Sequence, residues 1–217
     1  MAVGIAKTLC FDLINNFRRP YFAASVSEFW KRWHISLTRW LTQQVYIPLG
    51  GSRCSKLRTY WNIMVTFLVS GLWHGANWTF IIWGMIHGVF QIIEKALGWN
   101  KKRSKGVARA GRIVLTFAIV TVAWVFFRSP SIDDAIKLIG RFFVGNGRMI
   151  ADIPTLLHIG IGITPLLLYE FGKECFPMLY DRMRGNTIVR WAAYLVLLAM
   201  IVLIGVHDGS SFIYVSF

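Results

Sequence analysis

Five apolar stretches, separated by polar and charged residues, constrain the fold of this chain more than any other feature. They cover residues 60–73, 78–96, 112–127, 154–171 and 190–206. A helix needs roughly 20 mostly apolar residues to cross about 30 Å of hydrocarbon, and several stretches approach that length. A hydrophobic content of 55% also argues against a soluble domain. The sequence therefore predicts an all-α integral membrane protein with about five transmembrane helices, plus interfacial and re-entrant helices.

The distribution of basic residues predicts the orientation of these helices. An internal N-terminus places residues 1–59, 97–112 and 172–190 on the cytoplasmic side, with nineteen of the 24 Lys and Arg residues. We expect one membrane domain over residues 1–217. Its parts are a cytoplasmic-side amphipathic segment (1–59), the transmembrane spans (60–206) and a C-terminal tail (207–217).

The net charge of +14 raises the question of a nucleic-acid partner. In so apolar a chain, Lys and Arg are better explained by the cytoplasmic loops and by contact with anionic lipid headgroups. We therefore expect membrane lipids, and not nucleic acid, as the partner of these charges. The three cysteines are far apart and have no metal-ligand spacing, so neither a disulfide framework nor a metal site is predicted.

Two amphipathic helices are predicted outside the apolar stretches. Ser25 and Glu28 have the spacing of a capping box, which predicts a helix start. From Val26 to about Gln44, apolar residues recur at helical spacing with tryptophans among them, as in a helix at the membrane surface. A second such pattern follows Ser129 and Pro130 and extends over residues 132–143.

Two histidines lie within apolar stretches, where an ionisable side chain is costly unless it faces a bundle interior or a watery cavity. His74 is flanked by small residues and by Trp73 and Trp78, so it either lines a pocket or packs in the core. The segment that ends there is short, which suggests a broken or re-entrant helix. His87 shares a small and polar helix face with Gly84 and Gly88, which favours helix packing.

Four motifs occur in order: EFWKRWHISLTRWL (28–41), YIPLGGSR (46–53), GLWHGANW (71–78) and IWGMIHG (82–88). Together they resemble the signature block of the membrane-bound O-acyltransferase family. YIPLGGSR resembles the branch that contains the alginate O-acetylation membrane protein and related polysaccharide acetyltransferases. AWVFFRSPS (123–131) and FIYVSF (212–217) are similar to later segments of that branch. The resemblance extends over essentially the whole chain.

The resemblance implies that His74 is the active-site histidine and that His34 is a second site residue. A neutral imidazole suits the removal of a hydroxyl proton during acyl transfer. Trp73, Asn77 and Trp33 are expected to contact substrate. Arg32 and Arg53, with Arg39 and Lys31, either hold donor phosphates or face the lipid as surface charges. No bound cofactor is expected, and the donor would be acetyl-CoA or another acyl thioester.

Family members are usually about twice this length, so the chain resembles their C-terminal half. The resemblance implies a bacterial cytoplasmic membrane enzyme that transfers acetyl groups toward an exported polysaccharide such as alginate. An outer-face acetyltransferase partner and an N-terminal half would complete the system. Two alternatives stay open: transfer of D-alanyl groups to teichoic acid, and a catalytically silent remnant or half-subunit.

Overall fold

The computed structural model describes residues 2–99, 105–143 and 153–204. Within those ranges all regular secondary structure is helical, which confirms the predicted class. One compact unit, Met1–Asn146, contains α1 (Ala2–Thr8), a 3-10 helix (Pro20–Phe22), α2 (Val26–Arg32), α3 (Ile35–Leu41), a π-helical turn (Thr42–Tyr46), α4 (Lys56–His74), α5 (Trp78–Ala96), α6 (Gly106–Arg128) and α7 (Ile132–Phe143). The other, Gly147–Phe217, contains α8 (Ile153–Cys175), α9 (Pro177–Gly185) and α10 (Thr187–Ile204).

Helices α4 and α5 pack against each other as a hairpin. The Ser55 hydroxyl caps α4 and the Asn77 side-chain oxygen caps α5, where it accepts a hydrogen bond from the Thr79 amide at 3.1 Å. Gly75 makes the turn with φ of 152°, a conformation that glycine adopts readily. The expected break before His74 is not found, because α4 starts at Lys56 and runs without interruption for 19 residues.

The hairpin helices approach each other through two glycines. A Cβ atom at Gly71 would collide with the Phe80 carbonyl oxygen, and one at Gly84 would collide with the Phe67 carbonyl oxygen. Small residues allow this close backbone contact between helices in membrane proteins. The contact therefore fixes the position of His74, three residues after Gly71, relative to α5.

The predicted surface helix begins as expected but does not continue to residue 44. Ser25 Oγ accepts from the Glu28 amide at 2.9 Å, and Glu28 Oε2 accepts from the Ala24 amide at 2.9 Å. The two bonds confirm the predicted helix start, with Glu28 reaching back to the amide of Ala24, one residue before the cap. The single long helix is wrong, because α2 ends at Arg32 and α3 starts at Ile35.

Asn16 accounts for the interruption between α2 and α3. Its carbonyl oxygen accepts from the Ile35 amide at 3.1 Å, and its Oδ1 accepts from the Ser36 amide at 2.8 Å. Amides in the first turn of a helix have no intrahelical partner, so these bonds stabilise a new helix start. Trp33 is extended and His34 is left-handed, with φ of 42° and ψ of 55°. The break leaves His34 as the capping residue of α3.

Helix α6 completes the core of this unit. Val120 and Ala123 of α6 are buried in one apolar cluster with Phe29, Trp30 and Trp83. The cluster therefore joins the surface helix α2 to α5 and α6. It lies between the two segments that carry His34 and His74.

A buried carboxylate connects the C-terminal end of α5 to the start of α2. Glu94 is 4% exposed, and its two oxygens accept from the amides of Val26 at 2.5 Å and Ser27 at 3.0 Å. Free amides and the helix dipole both favour a negative charge at this position. Glu94 therefore fixes where α2 begins.

We expect Glu94→Ala to destabilise the detergent-solubilised protein by about 2–3 kcal/mol, because it removes charge-assisted hydrogen bonds to two buried amides. The measurement is the thermal unfolding midpoint. Asp133→Ala is the matched control, since Asp133 is an exposed carboxylate paired with Lys137 and should contribute less than about 1 kcal/mol. Equal midpoints for both variants would contradict the role of Glu94.

The amphipathic helix predicted over residues 132–143 is confirmed as α7. Ser131 Oγ accepts from the Asp134 amide at 3.1 Å and caps its first turn. Ala135 is buried, whereas Asp133 and Asp134 are exposed, as expected for a helix with one packed face.

The second unit is built from α8, α9 and α10. The Tyr180 hydroxyl donates to the Tyr169 hydroxyl at 2.8 Å, and Lys173 Nζ lies 5.8 and 5.5 Å from the two ring centroids. These contacts join α8 to α9. The predicted tail (207–217), with the family-like segment 212–217, lies outside the described residues.

Within the described residues, two helices are long and apolar enough to cross a membrane: Gly106–Arg128 and Thr155–Cys175. The count rises to three if the pair Pro177–Met183 and Thr187–Val202, bent by 91°, forms one span. The prediction of five spans is therefore not confirmed. Helix α5 is less apolar than a simple span because it carries buried polar groups such as His87 and Glu94.

Candidate active site

His74 is the last residue of α4 and is half-buried among aromatic rings. Its ring centroid lies 4.8 Å from Trp73, 5.2 Å from Trp83 and 5.0 Å from Phe127, each in an edge-on arrangement. Neither ring nitrogen has a hydrogen-bond partner among the described residues. The imidazole is therefore held by packing while its nitrogens stay available for proton transfer.

His34 is oriented by its capping position at the start of α3. Its Nδ1 accepts from the Leu37 amide at 3.4 Å, and the Ser36 hydroxyl lies 3.5 Å away. Because Nδ1 acts as an acceptor, the neutral ring carries its proton on Nε2. In this arrangement Nε2 is the ring nitrogen that does not take part in the cap.

An aromatic wall extends between the two histidines. Trp33, next to His34 in sequence, lies 5.2 Å from Trp124, which in turn lies 6.1 Å from Trp83 and 5.2 Å from Phe127. Trp83 and Phe127 both contact His74. The fold thus directs both predicted histidines toward one region.

The three predicted substrate contacts have different environments. Trp73 is 58% exposed beside the His74 ring, so it presents a face next to the imidazole. Asn77 caps α5, and its Nδ2 donates to the Pro130 carbonyl oxygen at 3.1 Å. Trp33 stacks on Phe29 at 5.6 Å within the aromatic wall. Asn77 and Trp33 therefore have structural contacts in addition to the predicted role.

The two predicted arginines have different surroundings. Arg32 pairs with Glu28 at 2.5 Å and donates to the Arg19 carbonyl oxygen at 3.2 Å. Arg53 is exposed and precedes α4, which ends at His74. A 19-residue helix is about 27 Å long, so Arg53 lies at the opposite end of α4 from the histidine.

His87 is the third histidine of this region, which the sequence analysis named but assigned to helix packing rather than to the site. It is fully buried, and its ring lies 5.1 Å from Trp83 and 5.2 Å from Trp30. Both its nitrogens lack a hydrogen-bond partner among the described residues, as do the indole nitrogens of Trp30 and Trp83. Unpaired buried polar groups are costly and often mark functional centres. The sequence signal that pointed to His87 was an ionisable ring within an apolar helix.

The chain belongs to the membrane-bound O-acyltransferase family, whose sequence pattern matches residues 2–129. That region contains both histidines, the glycine contact and most of the aromatic wall. The resemblance of the four motifs to this family is therefore confirmed.

Among related proteins, the chain is 40% identical over 168 residues to a probable alginate O-acetylase AlgI of Pseudomonas syringae pv. tomato, covering 77% of this chain and 32% of that protein. It is 41% identical over 148 residues to a peptidoglycan O-acetyltransferase of Helicobacter pylori, covering 68% and 28%. It is 35% identical over 109 residues to a teichoic acid D-alanyltransferase of Streptococcus thermophilus, covering 47% and 26%. The chain thus spans about a third of the length of these relatives.

Proposed function

We propose that this chain carries the acyl-transfer centre of an enzyme that O-acetylates an exported polysaccharide. The observation that carries the proposal is the imidazole of His74, which is fixed by aromatic rings, has no hydrogen-bond partner in the described ranges and is connected through Trp83 and Trp124 to Trp33, the neighbour of His34. A positioned base of this kind is what attack by a sugar hydroxyl on a thioester requires.

The proposed reaction needs one base and one thioester. A His74 nitrogen removes the proton as the hydroxyl oxygen attacks the thioester carbonyl carbon and forms a tetrahedral intermediate. The C–S bond then breaks, the acyl group remains on the sugar oxygen, and the departing sulfur takes the proton from the imidazolium. The products are an ester and a thiol, and His74 is again neutral.

His34 acts as the second residue of the proposed centre. Its Nε2–H donates a hydrogen bond to an oxygen of the reacting groups and so positions the acceptor. The cap at Nδ1 supports this role because it fixes the tautomer and the direction of the ring. Trp73 provides a flat surface beside His74 for a sugar ring.

We expect His34→Asn to lower the transfer rate by about 10²-fold, the usual cost of losing one well-placed donor. Asparagine tolerates the left-handed conformation and caps helices well, so it preserves the start of α3 but removes Nε2–H. The measurements are the rate of ester formation and the thermal midpoint of the same preparations. An unchanged rate with an unchanged midpoint would contradict the role of His34.

The remaining elements of the proposal follow from the family and the charge distribution. The donor is acetyl-CoA or another acyl thioester on the cytoplasmic side of a bacterial inner membrane, where the basic segments lie. An outer-face partner protein completes transfer to the polymer, and further helices complete the enclosure around the histidines. The extensive similarity to alginate and peptidoglycan acetylases supports acetyl over D-alanyl transfer.

The proposal is tested in a host that exports a suitable polysaccharide but lacks its own acetylating enzyme. The chain alone and the whole reading frame that contains it are expressed, and ester groups on the polymer are measured. Ester groups on the polymer support the proposal, whether they form with the chain alone or only with the whole reading frame. An unmodified polymer in both cases, with the protein inserted in the membrane, would favour the silent remnant.

A further inference from the structure

A cavity of about 320 Å³ lies in the first unit, near the ends of α4 and α5 that are remote from His74. Its apolar wall includes Trp30 and Phe67, while the side chains of Lys31 and Lys95 provide positive charge. No Asp or Glu from the described residues lines it. The volume is at the lower end of the roughly 300–1,000 Å³ typical of small-molecule sites.

Lys95 is the central polar group of this cavity. Its Nζ donates to Ser52 Oγ at 3.1 Å and to Tyr46 OH at 3.5 Å, and these two oxygens lie 2.7 Å apart. The ammonium group has three donors, so at least one remains for a ligand. One of the hydroxyls of Tyr46 and Ser52 donates to the other, so the pair has one hydrogen left to offer beside the ammonium group.

The positive charge of Lys95 has no counter-ion in the described part of the chain. Its half-buried ammonium contacts only neutral oxygens, and Lys31 forms no ion pair there either. The adjacent carboxylate of Glu94 is occupied by the amides of α2 and does not line the cavity. A half-buried ammonium group whose hydrogen-bond partners are neutral hydroxyls favours an anionic ligand.

The geometry points to a phosphate-ester site, which goes beyond the proposed acyl transfer; only its use by a thioester donor rests on that proposed function. The phosphate oxygens accept hydrogen bonds from Lys95 and from one hydroxyl of the Tyr46–Ser52 pair, and Lys31 adds charge at the exposed edge. The organic part of the ligand packs on Trp30 and Phe67, where burial of apolar surface contributes to affinity. Two sources share this chemistry: the phosphate-bearing arm of a thioester donor and a phospholipid headgroup.

Isothermal titration calorimetry of the full 217-residue chain in maltoside micelles tests the site. It uses two phosphorylated probes and their dephosphorylated forms. Phosphopantetheine is compared with pantetheine, and dihexanoyl phosphatidic acid with dihexanoylglycerol. We expect at least one phosphorylated probe to bind, and its dephosphorylated partner to bind at least tenfold more weakly. The tighter phosphorylated probe identifies the source.

Variants locate the binding within this cavity. Lys95→Met keeps the length of the side chain and should weaken phosphate binding at least tenfold, whereas Lys95→Arg should restore part of it. Tyr46→Phe should weaken binding less, because the charge remains. Lys137→Met, at an exposed lysine of α7, is the matched control and should change nothing. Equal binding of phosphorylated and dephosphorylated probes, no binding of either phosphate, or unchanged affinity in a folded Lys95→Met protein would each overturn the proposal.

Discussion

Replacing His74 with glutamine is expected to lower acyl transfer to the polymer by at least about 10²-fold, because a positioned general base contributes roughly 10²–10⁴-fold to a rate. Glutamine is polar and fits a helix end, but it cannot accept the hydroxyl proton at neutral pH. The ring contacts with Trp83 and Phe127 would be lost as well. The measurement is the initial rate of ester formation by membranes that contain equal amounts of each protein.

His158→Gln is the matched control for this substitution, because His158 is an exposed histidine of α8 in the other compact unit. Its rate should equal that of the unmodified protein. The thermal midpoint of the His74 variant should fall only modestly, because the lost ring contacts contribute about 0.5–1.5 kcal/mol each. A His74→Gln protein that retains full activity would remove His74 from the mechanism and with it the proposed base.

The second large expected effect is a loss of stability on substitution of a glycine between α4 and α5. Gly84→Ala is expected to destabilise the protein by about 1–3 kcal/mol, because the new methyl group must displace the Phe67 carbonyl of α4. The backbone of a helix cannot move aside as a flexible side chain can, so the hairpin itself must open. Thermal unfolding in detergent measures the change.

Gly111→Ala provides the control, because a Cβ atom at this position of α6 meets nothing within 4 Å. Alanine has the higher helix propensity, so this variant should be as stable as the original or slightly more stable. If both substitutions had the same effect, the close contact between α4 and α5 would not be the reason for the glycine at position 84.

Local signals in the sequence were sufficient for several parts of the fold. The capping pair Ser25 and Glu28 lies within four residues, so the start of α2 could be predicted from spacing alone. The periodicity of residues 132–143 likewise predicted α7. In both cases the stabilising contacts lie within one helical turn, where residue type and spacing carry most of the information.

Long-range contacts explain where the prediction failed. The interruption at His34 depends on Asn16, which is 20 residues from Ser36, and no local signal marks this pairing. The Glu94 bonds to Val26 and Ser27 join positions 68 and 67 residues apart. The apolar spacing of residues 26–44 continued through the break and therefore predicted one helix instead of two.

The candidate site was predictable only in part for the same reason. His74 and His34 came from motifs, whereas the aromatic wall that relates them is formed by Trp83, Trp124 and Phe127, which come from two different helices. The Lys95 cavity depends on contacts with Tyr46 and Ser52 across more than 40 residues. Sequence spacing cannot reveal such a cluster before the helices are packed.

The most direct test of the central claim follows an isotopically labelled acetyl group from a thioester to the polymer. Membranes that contain the expressed whole reading frame are given the labelled thioester and the acceptor polysaccharide. Label in alkali-labile esters on the polymer and release of free thiol are then measured together. We expect equal amounts of labelled ester and free thiol with the unmodified protein, and neither above background with the His74→Gln protein. Thiol release without labelled polymer, or equal labelling by the variant, would contradict this expectation.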